Sequence, residues 1–106
     1  MPENLRQLLS DLKAGLRQLY PQRLRGVYLF GSYARGDQDP ESDLDILIVL
    51  SDYERYSAEI GRTGDLISKL SLQAGVSISR IFMTENEYRS ADTPLLRNVR
   101  IELIAL

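Results

Sequence analysis

The chain has 106 residues, 43% of them hydrophobic and 26% charged, a size and balance that fit one globular domain spanning residues 1–106. A net charge of −2 and a pI of about 5.1 lack the basic excess with which duplex-binding proteins neutralise phosphates, so nucleic acid is not the expected partner. With no cysteine and no histidine, disulfides, thiolate sites and imidazole ligands are excluded, and any bound metal must be held by oxygen, as Mg²⁺ is.

The opening Met1-Pro2-Glu3-Asn4 carries neither the basic nor the apolar block of a secretion signal, and no apolar run approaches the roughly 20 residues that span a bilayer. The cytoplasm is therefore the expected location, and a membrane is not an expected partner. Leu5, Leu8, Leu9, Leu12, Leu16 and Leu19 recur at helical spacing until Pro21 ends the helix. Val27-Tyr28-Leu29-Phe30 reads as a short buried strand that halts at Gly31. Residues 32–43 are polar and turn-rich, punctuated by Gly36, Asp39-Pro40 and Ser42.

Leu44–Leu50 gives the strongest strand signal, built of leucine and β-branched residues as in a strand covered on both faces. Ser51 and Glu54 have capping-box spacing and predict a helix that presents Tyr53, Tyr56, Ile60, Ile67, Leu70 and Ala74 on one side and stops at Gly75. Gly61 and Gly64 weaken its middle and allow either a break or a close packing contact. Val76–Met83 reads as a third strand, and Thr84 with Glu87 forms a second capping box opening a short helix. Thr93-Pro94 then starts a final helix with Leu95, Val99, Leu103 and Leu106 along one face. The expected fold class is α/β (α+β), a small three-stranded sheet flanked by helices.

Two segments carry the chemistry. At Phe30-Gly31-Ser32-Tyr33-Ala34-Arg35-Gly36 a strand delivers the chain to a glycine, whose missing Cβ lets the backbone approach a ligand. Free amides at the start of the following helix, the Ser32 hydroxyl and the Arg35 guanidinium are candidate donors to phosphate oxygens. The plain alternative is Ser32 as a cap satisfying its own backbone. In Ser42-Asp43-Leu44-Asp45-Ile46, alternation puts Asp43 and Asp45 on one strand face. Two carboxylates so placed repel each other unless a cation lies between them, and Asp45 adjoins a run that should be buried. The alternative is an exposed strand end paired with arginines. Both segments sit at strand ends, with ten residues between Ser32 and Asp43, so adjacent strands would join a phosphate cradle to a metal site.

Gly31-Ser32, ten residues, then Asp43-Leu44-Asp45 resembles the signature of the DNA polymerase β-like nucleotidyltransferase superfamily. Gly31-Ser32-Tyr33-Ala34-Arg35-Gly36 and the C-terminal Pro94-Leu95-Leu96-Arg97-Asn98-Val99-Arg100 resemble its minimal nucleotidyltransferase (MNT) group, which includes the MntA-type antitoxins of HEPN/MNT pairs. The resemblance implies a mixed sheet and transfer of a nucleoside monophosphate, AMP from ATP, to an acceptor. It also implies distal phosphates on Gly31 and Ser32, Mg²⁺ on Asp43 and Asp45, and a tyrosine of a HEPN-type toxin partner as acceptor.

The family's third carboxylate belongs on a later strand, and Val76–Met83 contains no acid. Ser77 and Ser79 share a face there, and Arg80 would repel a cation. Glu87 reads as a cap and Asp65 as a solvated helix residue. The missing acid keeps open a second function, a catalytically weakened module that binds a nucleotide or a partner and acts by occlusion. Neither a Gly-Lys-Ser/Thr loop nor a dinucleotide glycine fingerprint occurs.

Overall fold

The leucine stripe does what its spacing predicts. In the computed structural model, which describes residues 2–90, 94–99 and 102–106, helix α1 spans Glu3–Leu19 and buries Leu5, Leu8, Leu9, Leu12 and Leu16. It ends before Tyr20, the residue preceding Pro21. Strand β1 (Leu24–Phe30) runs to Gly31, and a single turn, α2 (Ser32–Arg35), follows. Strand β2 (Leu44–Leu50) leads to helix α3 (Tyr56–Ala74), which Gly75 ends in a left-handed cap. Strand β3 (Ile78–Thr84), helices α4 (Glu85–Ser90) and α5 (Pro94–Val99), and strand β4 (Ile104–Ala105) complete the order.

The sheet is mixed, in the order β3-β2-β1-β4. β1 is antiparallel to β2 and to β4, whereas β2 and β3 are parallel and joined through α3. Helices α1 and α3 cover one face, where Leu44, Ile46 and Ile48 of β2 meet Leu12, Leu16 and Ile67. The other face buries Phe30, Leu47, Val49 and Met83 against Leu96 of α5, and Tyr28 stacks on Tyr88 of α4 at 5.1 Å. β2 is thus closed in on both faces, as its unbroken apolar run requires.

Two local expectations change. The Ser51–Glu54 box does not cap α3, which begins at Tyr56 after an extended Arg55; the Ser51 hydroxyl bonds Asp52 instead. Gly61 and Gly64 produce neither a break nor a close contact: α3 is continuous, and a side chain at either would meet open space. A close contact lies instead at Gly15 of α1, where a Cβ would press on Leu66 of α3. By contrast, the Thr84–Glu87 box forms as predicted, with reciprocal bonds of 3.0 and 3.1 Å.

Among the described residues the sheet has four strands rather than three. Leu103 and Leu106, expected on the face of the final helix, lie beyond α5. Ile104–Ala105 pairs with Leu29 and Tyr28 of β1, and the Leu106 N–H donates to the Val27 carbonyl at 2.9 Å. The reason is the open side of β1, whose backbone groups need partners that a helix does not supply. Thr93, the proposed cap, and Arg100 lie outside the described residues.

Among the described residues one charged group is buried inside the helical layer. Glu59 of α3 is 3% exposed, and it accepts hydrogen bonds from the Tyr20 hydroxyl at 2.7 Å and from Arg62 at 3.0 Å, with Arg23 at 3.4 Å. Burial alone would push its carboxyl up. The hydrogen bonds from Tyr20 and Arg62 and the charges of Arg23 and Arg62 outweigh burial and hold it below the usual range. A depressed carboxyl contributes stability above its unfolded-state pKa and loses it as pH falls through the folded value. Glu59→Ala strands the Tyr20 hydroxyl and should cost about 2–3 kcal/mol in urea denaturation at pH 7. The gap from the wild type should narrow in acid, below the carboxylate range.

Candidate functional site

The antiparallel register of β1 and β2 makes the site. Phe30, the last residue of β1, stands opposite Asp45, the second of β2, so the chain leaving β1 at Gly31 is laid beside the Asp45 side chain. Gly31 has φ 76° and ψ −157°, a region essentially reserved for glycine. A Cβ built there would overlap Oδ2 of Asp45. Glycine is needed at this position for both reasons.

Gly31 is also the N-cap of α2. Its carbonyl accepts the N–H groups of Ala34 and Arg35, both at 3.1 Å, and Gly36 closes the turn with φ 81°. Ser32 is the first residue inside the turn and makes no capping bond, so the self-capping alternative does not hold. Tyr33 packs against the helix-side core.

Asp43 is exposed just before β2, and Asp45 is half-buried on the face that carries Leu47 and Val49, away from α1 and α3. Among the described residues neither carboxylate is hydrogen-bonded or ion-paired, which removes the alternative of an arginine-paired strand end there. Burial first, then the charge of Asp43 and that of Glu102, push the Asp45 carboxyl up against the weaker pull of Arg35. An unpaired carboxylate pair of this kind suits a hard cation that takes its other ligands from water and phosphate oxygens.

On β3, Ser79 lies in register beside Asp45, so the strand position next to the pair holds a hydroxyl. Among the described residues no group of three acids is close enough to hold a metal. Arg80 does not face the site. Strand alternation turns it to the helix side, where it donates to the Thr63 hydroxyl and the Ile60 carbonyl, each at 2.7 Å. Glu85 is engaged by Arg25 and Arg89, and Asp65 is exposed.

Sequence reasoning missed Glu102. It lies two residues before β4, and its Oε1 accepts the Gly31 N–H at 3.1 Å across 71 residues of chain. Arg35 donates to its Oε2 at 3.2 Å and also holds Asp37 at 3.2 Å. No local pattern marks this glutamate, because only the pairing of β4 with β1 brings it to Gly31. A hollow of about 420 Å³ lined by Arg23, Asp52, Glu59 and Arg62 lies at the other end of β1 and β2, where Arg23 and Arg62 both pair with Glu59.

A family model described as a nucleotidyltransferase domain matches residues 9–105. The chain is 33% identical over 85 residues to the protein adenylyltransferase MntA of Thermococcus cleftensis, covering 71% of this chain and 84% of that one. It is 38% identical over 82 residues to a Methanocaldococcus jannaschii protein whose name gives protein adenylyltransferase as a provisional assignment, covering 77% and 76%. Among solved structures, a mutant of the toxin–antitoxin MntA–HpeT superposes with a TM-score of 0.57 at 27% identity, over 89% of this chain and 70% of that chain.

The close approach of Gly31 and Asp45 is open to test without a ligand. Gly31→Ala should cost about 1–3 kcal/mol, from backbone strain and the displaced carboxylate. Asp45→Asn should do the opposite. A carboxyl whose folded pKa is raised binds protons more tightly folded than unfolded, so its ionised form lowers stability at neutral pH. Thermal melting at pH 7 without metal should rise by up to about 3 °C in Asp45→Asn. The difference should vanish below the unfolded carboxylate pKa.

Proposed function

The chain belongs to the nucleotidyltransferase domain family, and from that premise we propose that it transfers AMP from ATP to a partner protein, with a tyrosine of a HEPN-type toxin as acceptor. The observation that carries this reading is the β1–β2 register, which sets a positive-φ glycine against the unpaired carboxylate of Asp45, with that of Asp43 near it. The name of the Thermococcus relative, protein adenylyltransferase MntA, and the toxin–antitoxin origin of the superposed structure support a protein acceptor.

In this reading the Gly31 amide, the Ser32 hydroxyl and the Arg35 guanidinium hold the distal phosphates, and Asp43 and Asp45 would hold Mg²⁺. Mg²⁺, when bound, neutralises the charge that builds on the phosphate oxygens during transfer. The acceptor oxygen attacks the α-phosphorus, the bond from that phosphorus to the bridging oxygen breaks, pyrophosphate leaves, and the acceptor proton passes to solvent. The chain's own part is positioning and charge placement, which is most of what phosphoryl-type transfer asks of a protein. A domain of this size covers only part of a triphosphate and acceptor, which suits a site completed by the partner.

The serine at position 79 favours a second reading, an antitoxin that binds nucleotide or toxin and neutralises by occlusion. The two separate in host lysate with Mg²⁺ and ATP labelled at the α-phosphate, with γ-labelled ATP as control. A protein band labelled from the α-phosphate alone, and reduced about 100-fold or more with Asp43→Asn/Asp45→Asn, is the expected result. Toxin neutralisation that survives the double variant, with no labelled band, would establish occlusion instead.

A further inference from the structure

Two of the donors assigned above to the triphosphate are already engaged. The Gly31 N–H donates to Oε1 of Glu102 at 3.1 Å. The Arg35 guanidinium donates to its Oε2 at 3.2 Å and its Oε1 at 3.4 Å. The Glu102 side chain is 15% exposed, less than that of either Arg35 or Asp37. A carboxylate on a backbone amide and a guanidinium offers those donors the charge and oxygen geometry that a phosphate offers.

Nor is Glu102 the end of a loose tail. The residues after it pair with β1 through Ile104 and Ala105, and the Leu106 N–H is fixed to Val27. The Lys13 ammonium also donates to the Leu106 carbonyl, at 2.5 Å. The fourth strand therefore delivers the carboxylate to the end of β1 as part of the fold.

We propose that Glu102 is a built-in competitor of the nucleotide: its carboxylate occupies the place of a distal phosphate oxygen, and the triphosphate binds after Glu102 has left Gly31 and Arg35. The proposal rests on the nucleotide-site reading above and adds its regulation. Two anionic groups do not share the same donors without strong repulsion. Apparent affinity is then the intrinsic affinity reduced by the fraction of molecules with Glu102 displaced. A partner that draws the C-terminal strand away from β1 would raise that fraction. If Glu102 instead stays to orient Arg35 toward phosphate, removing its charge has the opposite sign.

Calorimetry with Mg²⁺-ATP and with inorganic tripolyphosphate separates these cases. Glu102→Gln should bind both about threefold to tenfold more tightly than the wild type. Asp37→Asn removes an equal charge from Arg35 while leaving the Gly31 contact, and should change affinity by less than about twofold. No binding by wild type or by any variant would end the nucleotide-site reading, and this proposal with it. Binding by the wild type, with Glu102→Gln equal or weaker, would overturn the competition alone. An equal gain in Asp37→Asn would also overturn it, as general charge relief. Should Glu102→Gln fail to fold, Glu102→Asp decides: its carboxylate is one methylene shorter and does not span both donors. Tighter binding by that variant supports the proposal, and unchanged or weaker binding overturns it.

Discussion

Gly31 and Asp45 touch, and the rest of the site follows from that contact. The chain leaves β1 in a conformation only glycine adopts readily, at the one place where a Cβ would collide with a carboxylate of the neighbouring strand. The contact depends on register. Phe30 faces Asp45 because Leu44, Ile46 and Ile48 fill the helix-side core, each fully buried. A slip of one residue would drive Asp45 under α1 and α3 and turn those three side chains to the other face. The core thus fixes the geometry of a polar site at its margin.

The same contact explains the charge of the site. Asp45 is held half-buried beside Asp43 with no ion pair among the described residues, an arrangement that lowers stability in the free protein. A site that loses stability to unpaired charge regains it when a cation binds. The donor side is arranged the other way. Gly31 and Arg35 are satisfied in the free protein by Glu102, so anion donors and cation ligands are in opposite states before a nucleotide arrives. One end of the strand pair carries both, since the turn leaving β1 supplies the donors and the chain entering β2 the carboxylates.

Much of this was legible in the sequence, for local reasons. The apolar run Leu44–Leu50 has one reading as a strand, Gly31-Ser32 and Asp43/Asp45 mark strand ends by composition, and Thr84 with Glu87 is a cap whose partners lie three residues apart. What escaped depends on pairing across the chain. Leu95, Leu103 and Leu106 fit a helical period, yet Leu103 and Leu106 flank a two-residue edge strand that exists because β1 had an open side. Glu102 escaped with it. Arg80, expected to repel a cation, faces the helix layer instead, because Ser79 is the residue beside Asp45 and alternation turns the next side chain the other way. The Ser51–Glu54 box had the right spacing, but Ser51 stays within the bend after β2 and α3 starts later.

The central claim, that Asp43, Asp45 and Gly31 form one metal–nucleotide site, is tested most directly by thermal melting with a non-hydrolysable ATP analogue. The four samples are wild type and Asp45→Asn, each with and without Mg²⁺. The account predicts that analogue and Mg²⁺ together raise the wild-type midpoint by about 10 °C at a hundredfold excess over the dissociation constant. Omitting Mg²⁺ or replacing Asp45 should remove most of that rise. A rise of equal size without Mg²⁺, or in Asp45→Asn, would contradict the claim and place any nucleotide away from the carboxylate pair.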